Sequence, residues 1–245
     1  NAGIINISLK KNKAFGTNGT VNAGYNIGVY PKYNGGINFN LRNKGINVFG
    51  NYNYNNTKQN NEFNLYRTVL DSVFDGRTKM IFDNISHSFK GGIDFFLNNK
   101  HTLGVLINGN LANTEFNNNS RTPISYKPTG VVNRILTANN TNDMSRDNVN
   151  FNLNYRFADT AGHELNIDAD YGFFHNDGNQ LQPNYYYNAA GNTLISQVIY
   201  RFIAPTDINI YTLKADYEQN FKKGKLGLGA KTTVIRTENN FQRFD

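Results

Sequence analysis

The sequence predicts an all-β fold, an antiparallel transmembrane β-barrel of which about nine long strands are present. Three observations predict it. Apolar and polar residues alternate over stretches of about ten residues, no apolar run is long enough for a membrane helix, and connections are short at one end and long at the other. Residues 148–157, NVNFNLNYRF, show the alternation most plainly. Val149, Phe151, Leu153, Tyr155 and Phe157 alternate with Asn148, Asn150, Asn152, Asn154 and Arg156. A period of two puts each set on its own face of a strand.

Composition narrows the class. The 245 residues are only 38% hydrophobic, yet 13% are aromatic, and 45 are Asn. Disordered chains lack patterned aromatics, so the apolar residues here are few but placed. Mean hydropathy is −0.58, which excludes helical spans but not a barrel, where every second residue is polar. The net charge of +7 is scattered. Its small clusters, Lys10, Lys11 and Lys13 and then Lys222, Lys223 and Lys225, fall at expected strand ends, so no nucleic-acid partner is expected. The absence of Cys rules out disulfides and thiolate metal sites.

The strands follow in order. Residues 21–29 set Val21, Ala23, Tyr25, Ile27 and Val29 against Asn22, Gly24, Asn26 and Gly28. Ile37, Phe39 and Leu41 oppose Asn38, Asn40 and Arg42. Ile46, Val48, Tyr52 and Tyr54 oppose Asn47, Asn51 and Asn53. Ile85, Phe89, Ile93, Phe95 and Leu97 oppose Ser86, Ser88, Lys90 and Asp94. Then come 103–111, 148–157, 165–173, 211–221 and 226–234. Ten tilted residues span about 26 Å, the height of a membrane barrel's apolar band.

Short turns are expected at Asn43–Gly45, Asn98–His101, Ala158–His163 and Lys222–Lys225. They alternate with long polar loops at roughly 55–80, 118–147 and 177–206, with a tight corner at Pro31–Lys32. Residues 63–70 read as an excursion within the first loop. Val149, Phe151, Leu153, Tyr155 and Phe157 then face lipid. Asn148, Asn150, Asn152, Asn154, Arg156, Asp168 and Asp170 face a wet lumen. Single-chain bacterial barrels have even strand numbers, so nine strands read as the first part of a larger one.

Residues 2–11, AGIINISLKK, resemble the segment that ends the plug domain of TonB-dependent outer-membrane receptors. Gly3, Ile5, Asn6, Ile7 and Lys10 occupy that pattern. The hairpin INFN…NKGINVFGNYNY and residues 91–110, GGIDFFLNNKHTLGVLINGN, resemble the outer-membrane barrel family common in Bacteroidetes. The resemblance implies a plug end over 1–13 and a barrel over 14–245. It also implies residence in the outer membrane among its lipid, and nutrient uptake of an iron chelate, glycan or peptide. Implied partners are a TonB complex, reached through a segment not in this chain, and a surface lipoprotein.

No catalytic or metal motif accompanies this, and no cofactor is expected. His87, His101, His163 and His175 are scattered, without metal-binding spacing. Asp168 and Asp170, with Glu164 on their own strand and Lys214, Asp216 and Glu218 on the next, read as a lumenal charge ladder or a plug contact. Ligand contact is expected in the long loops, from Arg121, Tyr126, Arg134, Tyr185, Tyr186 and Tyr187, because aromatic and Arg side chains combine rigid area with a polar handle. The alternatives to uptake are a barrel with a structural, assembly or secretion role, and a soluble secreted adhesin.

Overall fold

A computed structural model describes residues 15–245; the expected plug end lies outside the described residues. The described chain forms one antiparallel sheet. Its elements are β1 (Gly16–Asn26), β2 (Lys32–Arg42), β3 (Ile46–Val69), β4 (Ser72–Phe96), β5 (His101–Tyr126), β6 (Val131–Ala158), β7 (His163–Asn188), β8 (Leu194–Ile203), β9 (Thr206–Phe221), β10 (Gly224–Asn239) and β11 (Gln242–Phe244).

These segments trace nine paths. β8 and β9 both pair with β7 and keep one register across their junction, from Ile203 opposite Asn179 to Thr206 opposite Asn176. Pro205 sits at the break, where it has no N–H to give the ladder. β10 and β11 likewise continue one register, along β9 and then β8. Nine paths is the number the alternation predicts.

The long loops are a correction. Residues 55–69 and 72–80 belong to β3 and β4, 118–126 and 131–147 to β5 and β6, and 177–188 and 194–203 to β7 and β8. The 63–70 excursion is the end of β3 and its tip. What remains of the loops are tips at residues 70–71, 127–130 and 189–193. The reason is physical. Pairing satisfies backbone groups whatever the side chains, whereas alternation appears only where one face is dry and the other wet. Above the apolar band polar and apolar residues mix on both faces, so the strands continue and their signature does not.

The turns at the other end match expectation, and one device recurs in three of them. Asn43 Oδ1 accepts from the Gly45 and Ile46 amides at 2.8 Å each. Asn98 Oδ1 accepts from Lys100 (2.9 Å) and His101 (3.1 Å), and Asp159 Oδ1 from Ala161 and His163 at 3.0 Å. An Asn or Asp that bonds its own turn fixes the hairpin register above it.

Among the described residues there is almost no protein core. The buried apolar residues are Ile124, Ile135 and Ala138, all in the upper part of β5 and β6, while Phe151 and Leu153 stand 46% and 49% exposed. The sheet also carries a barrel's stagger. One cross-strand row runs Thr17, Leu41, Val48, Ile93, Val105, Leu153, Ala169, Leu213, Thr232. It passes below the apolar run of β1, through the bottom of that of β2, the middle of that of β6 and near the top of that of β10. The apolar band therefore slips by about one residue per strand against the hydrogen-bonding direction. At ~3.4 Å per residue and ~4.8 Å between strands, this is a tilt on the order of 35°, as in barrels.

Candidate functional site: a two-faced band and its polar extension

Within the band the two faces differ in kind. On the polar face, Asn152 Nδ2 donates to Asp170 Oδ1 at 2.6 Å and Asn154 Nδ2 to Asp168 Oδ1 at 2.7 Å. Arg156 Nε donates to Glu164 Oε1 at 2.8 Å, and Asn150 donates to Asn148 at 2.9 Å. The ladder continues across the sheet. Asn40 donates to Asn47 at 3.0 Å, Asn47 donates to Asp94 at 3.1 Å, and Lys214 pairs with Asp216. Asp168 and Asp170 thus act as acceptors for amides.

The other face is apolar and edged with aromatic rings. Phe151 stacks on Tyr171 at 6.2 Å, and Tyr171 on Tyr211 at 5.1 Å. At the upper edge Tyr52 Oη and His87 Nδ1 lie 2.7 Å apart, with Tyr54 5.2 Å from the same ring. At the lower edge His101 Nδ1 lies 2.7 Å from Tyr155 Oη, and its ring 5.0 Å from that of Phe157. Tyr and His at both edges of an apolar strip is the girdle arrangement of membrane barrels.

The four histidines are not clustered, but each has a partner that the sequence reading missed. His175 Nδ1 sits 2.6 Å from Asp207, and His163 Nδ1 3.0 Å from Asp159 in the turn below. The His163 contact and the turn amides hold the Asp159 carboxyl at about 2. The spacing of Asp159 and His163, four residues across a turn, was the available signal.

Above the band stand the residues expected to contact ligand, all on strands or a tip instead of loops. Arg121 is on β5, Arg134 on β6, Tyr185, Tyr186 and Tyr187 on β7, and Tyr126 ends β5 at a hairpin tip. They do not converge. Alternation puts Tyr185 and Tyr187 on one face of β7 and Tyr186 on the other. Arg121, Thr137 and Tyr185 share a row on the face that carries Phe151 lower down. Arg121 also lies directly opposite Arg77, and both line a groove of about 580 Å³ with Lys79. The sequence reading passed over Arg77 and Lys79. Taking 72–80 as strand, their spacing of two would have shown them on one face.

The model of a family described as outer membrane protein beta-barrel matches residues 155–245, from the end of β6 through β11. With the fold, this places the described sheet in the outer membrane as an antiparallel transmembrane β-barrel wall. No curated protein matches the chain. The sheet described above is part of the barrel's wall, in a lipid environment, and the soluble adhesin drops out.

Proposed function

We propose that this barrel wall belongs to a TonB-dependent transporter that takes up a nutrient across the outer membrane. The observation that carries the reading is width. Nine strand paths pair in order, yet β1 pairs only with β2 and β10 only with β9 among the described residues. Narrow eight-stranded barrels fill their interior with side chains, while wider ones enclose a channel or a plug. A polar ladder on one face suits a lumen that holds either. The plug-like segment at residues 2–11 supports the plug.

In this reading Val149, Phe151, Leu153, Tyr155 and Phe157 face lipid. Asn148, Asn150, Asn152, Asn154, Arg156, Asp168 and Asp170 face the lumen. A TonB complex supplies the energy, a surface lipoprotein is a candidate partner, and the chain carries no catalysis. The second reading, a barrel without uptake, draws on the polar extension, which offers a large exposed surface for contact.

Uptake by cells carrying the intact protein separates the two. The transporter reading expects accumulation of an iron chelate, glycan or peptide that stops when the inner-membrane energy source is inactivated. Equal accumulation with and without the protein, at normal surface levels, would leave the structural reading.

A further inference from the structure

On the face of the extension that continues the apolar band, three cations lie together, with one carboxylate, Glu62 of β3, directly opposite Lys79. Arg77 of β4 and Arg121 of β5 are direct cross-strand partners, and Lys79 lies two residues along from Arg77. Like charges in that position repel. The only ion pair among them is a long one, Arg77 to Asp75 at 3.9 Å, with both side chains largely exposed, which contributes little. Arg121 and Lys79 have none among the described residues. The groove they line contains one carboxylate, Glu62, and is otherwise bordered by amides and hydroxyls, including Asn64, Asn119 and Asn139.

We infer that this groove binds a phosphorylated saccharide. Two guanidinium forks, on side chains rooted about 5 Å apart, match the oxygens of one phosphate dianion. Amides along the rim suit sugar hydroxyls, since each amide both donates and accepts. The location also selects the ligand. Nearer the band the same face carries Lys58, Asp83, Glu115 and Asp143 in one row, which stays net negative although Lys58 pairs with Asp83 at 2.8 Å. An anion is therefore held at the groove and repelled below it. Arg121 lies ten residues above Leu111, the last apolar residue of the band on β5, so the groove stands roughly 20–30 Å above the band. That the groove opens outside the barrel rests on the lipid-facing assignment; its charge does not.

The experiment uses the intact protein in detergent and in bilayers. The probes are glucose 1-phosphate, glucose, inorganic phosphate, and vesicles carrying the phosphorylated glycolipid of the outer leaflet before and after dephosphorylation. Arg77→Gln/Arg121→Gln is expected to lose about tenfold or more in affinity for phosphorylated probes. Arg77→Lys/Arg121→Lys should retain part of it, and Lys127→Gln at the hairpin tip all of it. Relieving a like-charge pair should not lower stability, and the unfolding midpoint checks this. Vesicle binding that needs the phosphates assigns the groove to the membrane glycolipid; glucose 1-phosphate binding without vesicle binding assigns it to a free sugar phosphate. Either outcome supports the inference. Phosphate-independent binding, affinity unchanged in the Gln double variant, or inorganic phosphate binding as tightly as glucose 1-phosphate overturns it. A wrong facing assignment would show instead in lipid contacts at residues 151–154, leaving the phosphate dependence intact.

Discussion

The lower and upper parts of β6 are the same strand under two solvents. Over Val149–Phe157 every second residue is apolar and lies on an uncovered face, with an amide and carboxylate ladder behind it. Over Val131–Asn148 the ladder of backbone pairs continues, but both faces carry polar groups. That upper stretch rises roughly 50 Å beyond the band. In this protein backbone pairing determines where strand exists, and side-chain alternation determines only where the membrane is.

The largest effect should come from placing one charge in each part. Leu153→Arg puts a cation at the middle of the apolar band and should destabilise folding into bilayers by about 2–4 kcal/mol. Ile81→Arg, on the same face of the extension, faces water and should cost less than about 1 kcal/mol. Urea titration of the intact protein in liposomes measures both. Equal costs would erase the distinction between the two regions.

The next effect tests the polar face of the band. Asp170→Ala leaves the Asn152 amide without its acceptor. A loss of about 0.5–1.5 kcal/mol is expected, and Asp170→Asn should recover part of it. Stability identical to wild type in both variants would mean that the ladder has no structural part.

Sequence alone revealed the band and concealed the extension. The nine paths were legible because each crosses the band, where lipid on one side and water on the other forces a period of two. β8 was not legible. Its upper-wall residues, Leu194–Ile203, include the run Val198, Ile199, Tyr200, with no polar face to mark it, and Pro205 cuts it from β9. The same blindness scattered the candidate site. Arg121 was singled out as a loop residue, and without the register its partner Arg77 could not be found. The three consecutive tyrosines were expected together in a loop, but a strand divides them between faces.

A smaller effect is a pH dependence confined to the lower turn. The His163 side chain and turn amides lower the Asp159 pKa to about 2 from an ordinary 3.8. A lowered carboxyl contributes stability that is complete above the ordinary value and is lost as pH falls through the lowered one. Amide exchange at Ala161 and His163 should therefore quicken as pH drops from about 4 toward 2, after correction for intrinsic exchange. Asp159→Asn should abolish that dependence. An unchanged profile in the Asn variant would contradict it.

The smallest effect is at the opposite end. Leu70 holds a φ of 51° at the tip of the β3–β4 hairpin and is 90% exposed. That conformation favours Asn or Gly over a branched side chain. Leu70→Asn should stabilise the extension by up to about 1 kcal/mol while leaving the band unchanged, which local hydrogen exchange would resolve.

The central claim is that one strand passes from lipid to water with its two faces distinguished only in the band. Single cysteines at 151, 152, 153 and 154, and at 139, 140, 141 and 142, carrying a label read by a lipid-restricted quencher, test it most directly. Strong quenching at 151 and 153, weak quenching at 152 and 154, and none at any of the upper four positions is the predicted pattern. Equal quenching at 151–154, or quenching in the upper four, would contradict it.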